Sequence, residues 1–66
     1  MKLSTAINKS RSVYTPAGVT VISKAIARVS VNEFLTNTMN EDGHFTDDYD
    51  GTVGWYDQDA NVLYLS

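Results

Sequence analysis

Residues 14–29, YTPAGVTVISKAIARV, decide how the amino-terminal half of this chain is built, because they satisfy two incompatible patterns. Read as a helix, they place Val19, Ile22, Ala25, Ile26 and Val29 on one face at 100° per residue, with Lys24 and Arg28 on the other as an i,i+4 pair. Thr15 then serves as N-cap and Pro16 as the first helical residue, where a missing N–H costs nothing. Read as a strand, GVTVIS offers the β-branched side chains that suit an extended, half-buried chain. The periodicity persists over four turns, and on that ground a core-packed helix is predicted over residues 16–29. Upstream, the three- and four-residue spacing of Leu3, Ala6 and Ile7 predicts a short helix over residues 4–11, with Ser4 or Thr5 as its cap. Downstream, SVNE at residues 30–33 has the form of a capping box, in which Ser30 and Glu33 each satisfy a backbone N–H. A second helix, or a kinked continuation of the first, is expected to reach Met39, with Val31, Phe34 and Leu35 on its inner face.

After Met39 the composition changes. NEDG at residues 40–43 is a stop signal, and Gly, Asp, Thr, Tyr and Val dominate from there. TVGWYD (52–57) and NVLYLS (61–66) are short strand-like runs joined by turn residues at hairpin length. GHFTDDYDG (43–51) supplies a third, edge strand, whose aspartates would keep that edge from pairing with other chains. The expected fold is therefore α+β: amino-terminal helices packed on a small carboxy-terminal antiparallel sheet of two or three strands. Its core would join Val19, Ile22, Ile26, Val29, Phe34 and Leu35 to Val53, Trp55, Leu63 and Leu65.

Length and composition bound the rest. A chain of 66 residues is expected to form a single domain over residues 1–66, in which only about 60 % of the unfolded surface is buried and no large substrate cavity fits. The chain has no cysteine, which rules out disulfides, thiolate catalysis and cysteine-ligated metal centres. MKLSTAINKS turns polar before an apolar segment develops, and no stretch approaches membrane-spanning length, so a soluble, cytoplasmic, monomeric protein is expected.

The charge is unevenly distributed. All five basic residues, Lys2, Lys9, Arg11, Lys24 and Arg28, precede all eight acidic ones, which begin at Glu33. Seven acids, Glu41, Asp42, Asp47, Asp48, Asp50, Asp57 and Asp59, fall within residues 41–59, where there is neither Lys nor Arg. One reading is a solvated face; the other is an anionic binding surface. Calcium is a candidate ligand, because TDDYDGTVGWYD (46–57) aligns Gly51 and Val53 with the glycine and apolar positions of an EF-hand loop. The first position is then Thr46 and the twelfth Asp57, neither of them the usual residue. His44 with Asp47, Asp48 and Asp50 is a second possible cation set, although a lone histidine among hydrated aspartates is commonly an ordinary surface residue. No metal or other cofactor is expected. No catalytic residue is assigned either, since His44 is the only imidazole and no nucleophile motif or phosphate loop accompanies it. Direct nucleic-acid binding is disfavoured in an acidic chain whose aromatics lie among carboxylates.

Imitation of nucleic acid remains. A DNA strand carries a phosphate about every 3.4 Å, and an extended polypeptide rises about 3.3 Å per residue, so aspartates along strands and turns present charge at comparable density. The partner-binding set expected on this reading is Glu41, Asp42, Asp47, Asp48, Asp50, Asp57 and Asp59, with Tyr49 and Tyr56 adding contact area. Trp55 is assigned first to the sheet core.

A small, acidic, cysteine-free chain of α-then-β order resembles the phage-encoded anti-CRISPR proteins, several of which imitate DNA. MKLSTAINKSRSVYTPAG (1–18) and DDYDGTVGWYDQDANVLYLS (47–66) are similar to one of the short inhibitors of type I-C CRISPR-Cas systems. Such inhibitors share no common motif, so no site residue is carried over. The resemblance implies a stoichiometric inhibitor in the host cytoplasm that binds a surveillance complex, at the Cas8 or Cas7 surface used for target DNA. Two alternatives stay open: a cation-binding or regulatory interaction module using the aspartate-rich segment, and an antitoxin-like partner protein using its apolar helices.

Overall fold

A computed structural model of the chain describes residues 1–15 and 20–66. Along the chain run helix α1 (Leu3–Lys9), strands β1 (Ser12–Thr15) and β2 (Thr20–Ile22), helix α2 (Lys24–Ser30), a 3-10 turn (Asn32–Phe34), and strands β3 (His44–Thr46), β4 (Thr52–Asp57) and β5 (Val62–Leu65). The strands form one mixed sheet in the order β2-β1-β5-β4-β3. An amino-terminal hairpin (β1, β2) and a carboxy-terminal meander (β3, β4, β5) are joined by the one parallel pair, β1 with β5, in the register Val13↔Leu63 and Tyr14↔Tyr64. The α+β class stands. The expected sheet of two or three antiparallel strands is corrected to five strands in a mixed sheet, because the amino-terminal half contributes two of them.

The correction originates in residues 14–29. Thr15 ends β1 opposite Thr20 and caps no helix, and Thr20–Ile22 is strand. Helix α2 starts only after Ser23, whose hydroxyl oxygen accepts a hydrogen bond from the Ile26 N–H at 3.1 Å, satisfying one of the amides that a first helical turn leaves without a partner. Pro16 and Val19 lie outside the described residues. The apolar periodicity thus spanned two elements, and the face counted through it is not the buried one. Ala27 is fully buried, while Ile26 and Val29 are 57 % and 78 % exposed. Ile26→Ala is accordingly expected to shift stability by less than about 0.5 kcal/mol in denaturant titration, against the roughly 2–5 kcal/mol of a buried isoleucine.

Two other helix signals are also reassigned. Ser30 is the last residue of α2, its hydroxyl donates to the Ile26 carbonyl at 3.0 Å, and only the 3-10 turn follows, so SVNE is no capping box and no helix reaches Met39. Helix α1 begins at Leu3 without a side-chain cap from Ser4 or Thr5. Its first amides are satisfied instead by a neighbouring segment: the N–H groups of Leu3 and Ser4 donate to the carbonyls of Asn37 and Leu35, at 2.9 and 3.0 Å.

The helices cover one face of the sheet. Leu3, Ala6 and Ile7 of α1 and Ala27 of α2 pack with Val13, Phe45, Tyr56, Leu63 and Leu65, and Ile22, Phe34 and Leu35 flank them partly buried. Val53 joins the same cluster. The register shifts between Phe45 and Thr46, leaving Val53 without a partner in β3, and such a bulge explains how it escapes strict alternation. Trp55, assigned first to the core, is 39 % exposed on the opposite face. The β3 edge is protected as expected, but by asparagines: Asn40 binds both backbone groups of His44, and Asn37 donates to the Thr46 carbonyl at 2.9 Å. Among the described residues no helix is long and apolar enough to cross a membrane.

Candidate functional site

The acidic window folds into the connections of the meander and divides between the two ends of β4. Glu41 and Asp42 occupy the turn before β3, whose Gly43 carbonyl accepts from the Tyr56 N–H at 2.9 Å near the end of β4. Asp57 and Asp59 lie at that same end. Asp47, Asp48, Tyr49 and Asp50 form the β3–β4 loop at its start. Six residues in extended conformation separate the groups by about 17 Å. The acids are therefore not one continuous run of charge.

Two of the seven carboxylates hold their own loops. Asp47 Oδ1 accepts from the N–H groups of Tyr49 and Gly51, both at 2.8 Å. Asp57 Oδ1 accepts from those of Asp59 and Ala60, at 3.0 and 3.1 Å, in the manner by which aspartate mimics a backbone turn. The other five, Glu41, Asp42, Asp48, Asp50 and Asp59, are exposed, and their side chains accept no hydrogen bond among the described residues. Asp50 sits at φ 61°, in the left-handed region that aspartate tolerates better than most residues. The basic residues lie elsewhere: Lys2, Lys9, Lys24 and Arg28 are on or beside the two helices, and Arg11 leads from α1 into β1. The cations lie on the amino-terminal elements and the acids on the sheet connections, and the two meet at the β4–β5 turn, where Asn61 donates to the Lys9 carbonyl at 3.2 Å and accepts from the Arg11 N–H at 2.8 Å.

The two tyrosines of the expected set part company. Tyr49 is 93 % exposed at the tip of the β3–β4 loop. Tyr56 is buried in the core; its hydroxyl donates to Asn61 Oδ1, and the Lys9 ammonium lies 5.9 Å from its ring centre. A partner cannot reach it in this fold, and it is withdrawn from the contact set. Among the described residues no three of His, Asp and Glu converge as a cation cage would require, and no pocket is present. Residues 52–57, which the calcium alignment used as loop, are the strand β4.

The sheet face opposite the helices, uncovered among the described residues, carries a row of which the sequence singled out only His44 and Trp55, and those for other roles. Register aligns Val21, Tyr14, Tyr64, Trp55 and His44 in one row across all five strands. Their rings stack: Tyr14 on Tyr64 at 5.5 Å, Tyr64 on Trp55 at 4.4 Å, and Trp55 near His44 at 6.3 Å, with interplanar angles of 21°, 17° and 23°. Cross-strand aromatic pairs of this kind each add about 0.2–1 kcal/mol to a sheet. The alternation Leu63-Tyr64-Leu65 carried a hint of the row, since period two sends the leucines one way and the tyrosine the other.

Compared with protein-family models, curated proteins and solved structures, the chain matches none.

Proposed function

We propose that this chain acts by binding rather than by catalysis, as a small anionic protein that docks on a basic, nucleic-acid-binding surface of a protein partner and occludes it. One observation carries the reading: five exposed carboxylates, without hydrogen-bond partners among the described residues, stand in the sheet connections at the two ends of β4. Exposed charge of one sign creates a field that accelerates and orients association with a positive groove. The carboxylates stand in for phosphates in two groups separated by the length of β4. With the resemblance to short type I-C inhibitors, this makes the Cas8 or Cas7 subunit of the surveillance complex the first partner to test, with the chain acting as a monomer in the host cytoplasm.

The test is affinity for that complex as a function of salt, for the wild type and for two charge variants. Asp47 and Asp57 are left intact because they hold their turns, and Asp50 is changed only to asparagine, which also tolerates positive φ. Glu41→Lys/Asp42→Lys/Asp59→Lys alters one end of β4, and Asp48→Lys/Asp50→Asn the other. Each is expected to weaken binding at least tenfold, with wild-type affinity falling as salt shortens the screening length from about 10 Å at 0.1 M. The folds should persist, because exposed charges contribute little to stability. Salt-independent binding, or full affinity in both variants, would overturn the proposal.

A further inference from the structure

We infer that the aromatic row on the uncovered sheet face is the apolar centre of the protein-docking surface, and that its occupant is a protein surface carrying arginine and lysine around an apolar patch. The inference rests on the binding function proposed above and adds where contact is made. Four observations lead to it.

First, no layer lies over the row among the described residues, and its rings are half-buried or exposed. The helices pack on the opposite face, Trp55 is 39 % exposed, and Val21, at the β2 end of the row, is 59 % exposed. Tryptophan and tyrosine combine large contact area with a polar group, and such residues dominate binding energy at the centres of interfaces.

Second, the rings stand upright. Centroids 4.4 Å apart with planes 17° apart leave no room for Trp55 and Tyr64 to lie side by side flat on the sheet, so they stack face to face. The faces of the interior rings are therefore turned toward their neighbours, and much of what meets solvent is ring edge. Nucleic-acid-binding sheets stack bases on free ring faces; this arrangement does not offer them.

Third, the surrounding charge is negative at one end. Asp57 lies two residues from Trp55 on the same strand, and Glu41 and Asp42 precede His44 by three and two residues. A phosphate backbone laid along this face meets carboxylates, whereas cationic side chains are drawn to them.

Fourth, a second copy docking face to face either sets the acidic end over the uncharged Val21 end of the row or brings these carboxylates toward their own counterparts. The first arrangement gives the acids no cation, and like charges brought together oppose the second. A cationic protein surface satisfies both the apolar row and its acidic border.

The chain has one tryptophan, so the indole N–H resonance of Trp55 reports on the row directly and without substitution. Three probes are titrated into labelled wild-type protein: a dodecapeptide of alternating arginine and leucine, its glutamate and leucine counterpart, and a dodecamer of oligothymidylate. The arginine peptide is expected to move the indole resonance together with the amides of residues 41–44 and 57–59, and the other two probes to leave it in place. Trp55→Leu, checked for fold by its amide spectrum, is expected to weaken the arginine peptide at least tenfold. If the acidic-loop amides move while the indole does not, contact is made by the acids alone; the inference then falls and the proposed function stands. Movement by oligothymidylate would assign the face to nucleic acid, and a concentration-dependent indole shift without probe would assign it to self-association; either overturns the inference. No shift of any resonance would count against both the inference and the function on which it rests.

Discussion

Phe45→Ala is expected to leave the protein largely unfolded at room temperature. Phe45 is fully buried and is the largest of the fully buried side chains. It sits on the edge strand β3 opposite Gly54 and packs into the cluster formed by α1 and the inner face of the sheet. Truncating a buried phenylalanine costs about 3–5 kcal/mol, as lost transfer energy plus the cavity left behind. A domain of this length holds only roughly 3–10 kcal/mol in total, so the loss consumes a large part of the margin. Urea titration followed by far-ultraviolet circular dichroism measures it directly. A midpoint equal to the wild type's would mean that the core is centred elsewhere.

Gly54→Ala is expected to be the second most damaging single change, although it adds one methyl group. Glycine in a strand normally gains from such a substitution, by about 0.4–1 kcal/mol, because alanine has less freedom to lose on folding. Here a Cβ on residue 54 would lie 2.7 Å from the backbone carbonyl oxygen of Tyr64 and 3.2 Å from the Leu65 side chain. A carbonyl in the β4–β5 ladder cannot withdraw without disturbing the pairing that holds Trp55 opposite Tyr64 and Tyr56 opposite Leu63. Overpacking of this kind costs about 1–3 kcal/mol, which outweighs the entropic gain. The expected result is a lower denaturation midpoint and a displaced Trp55 indole resonance, since the aromatic row depends on the same register. A midpoint at or above the wild type's would show that the ladder gives way at little cost.

Much of the carboxy-terminal half was legible from residues alone. TVGWYD and NVLYLS are short strand-like runs separated by turn residues at hairpin length, and they fold as the antiparallel hairpin those signals describe. The edge position of the strand within GHFTDDYDG was legible too. So was the inward face of α1, because Leu3, Ala6 and Ile7 share one side of any helix drawn through them. The residues between 14 and 29 misled because valine and isoleucine at helical spacing also satisfy a strand followed by a helix. Which state they take depends on a partner for the strand, and β1 supplies it through Tyr14↔Val21 and Val13↔Ile22.

The candidate site divides in the same way. The sequence by itself determined which groups exist and their order: carboxylates late, cations early, aromatics interleaved with the acids, no cysteine. Turn chemistry is local, so the placing of aspartates in loops followed from it. Only the tertiary structure decided that Asp47 and Asp57 are occupied in their own turns, that Tyr56 points into the core, and that the acids fall into two groups at opposite ends of β4. It also decided that Tyr14, Tyr64, Trp55 and His44 form one row. These residues are separated by up to 50 positions in the chain, and what aligns them is the register of three strand pairings, one of them parallel. A one-residue slip in any pairing sends a side chain to the other face, so the row is a property of the assembled sheet and of no segment within it.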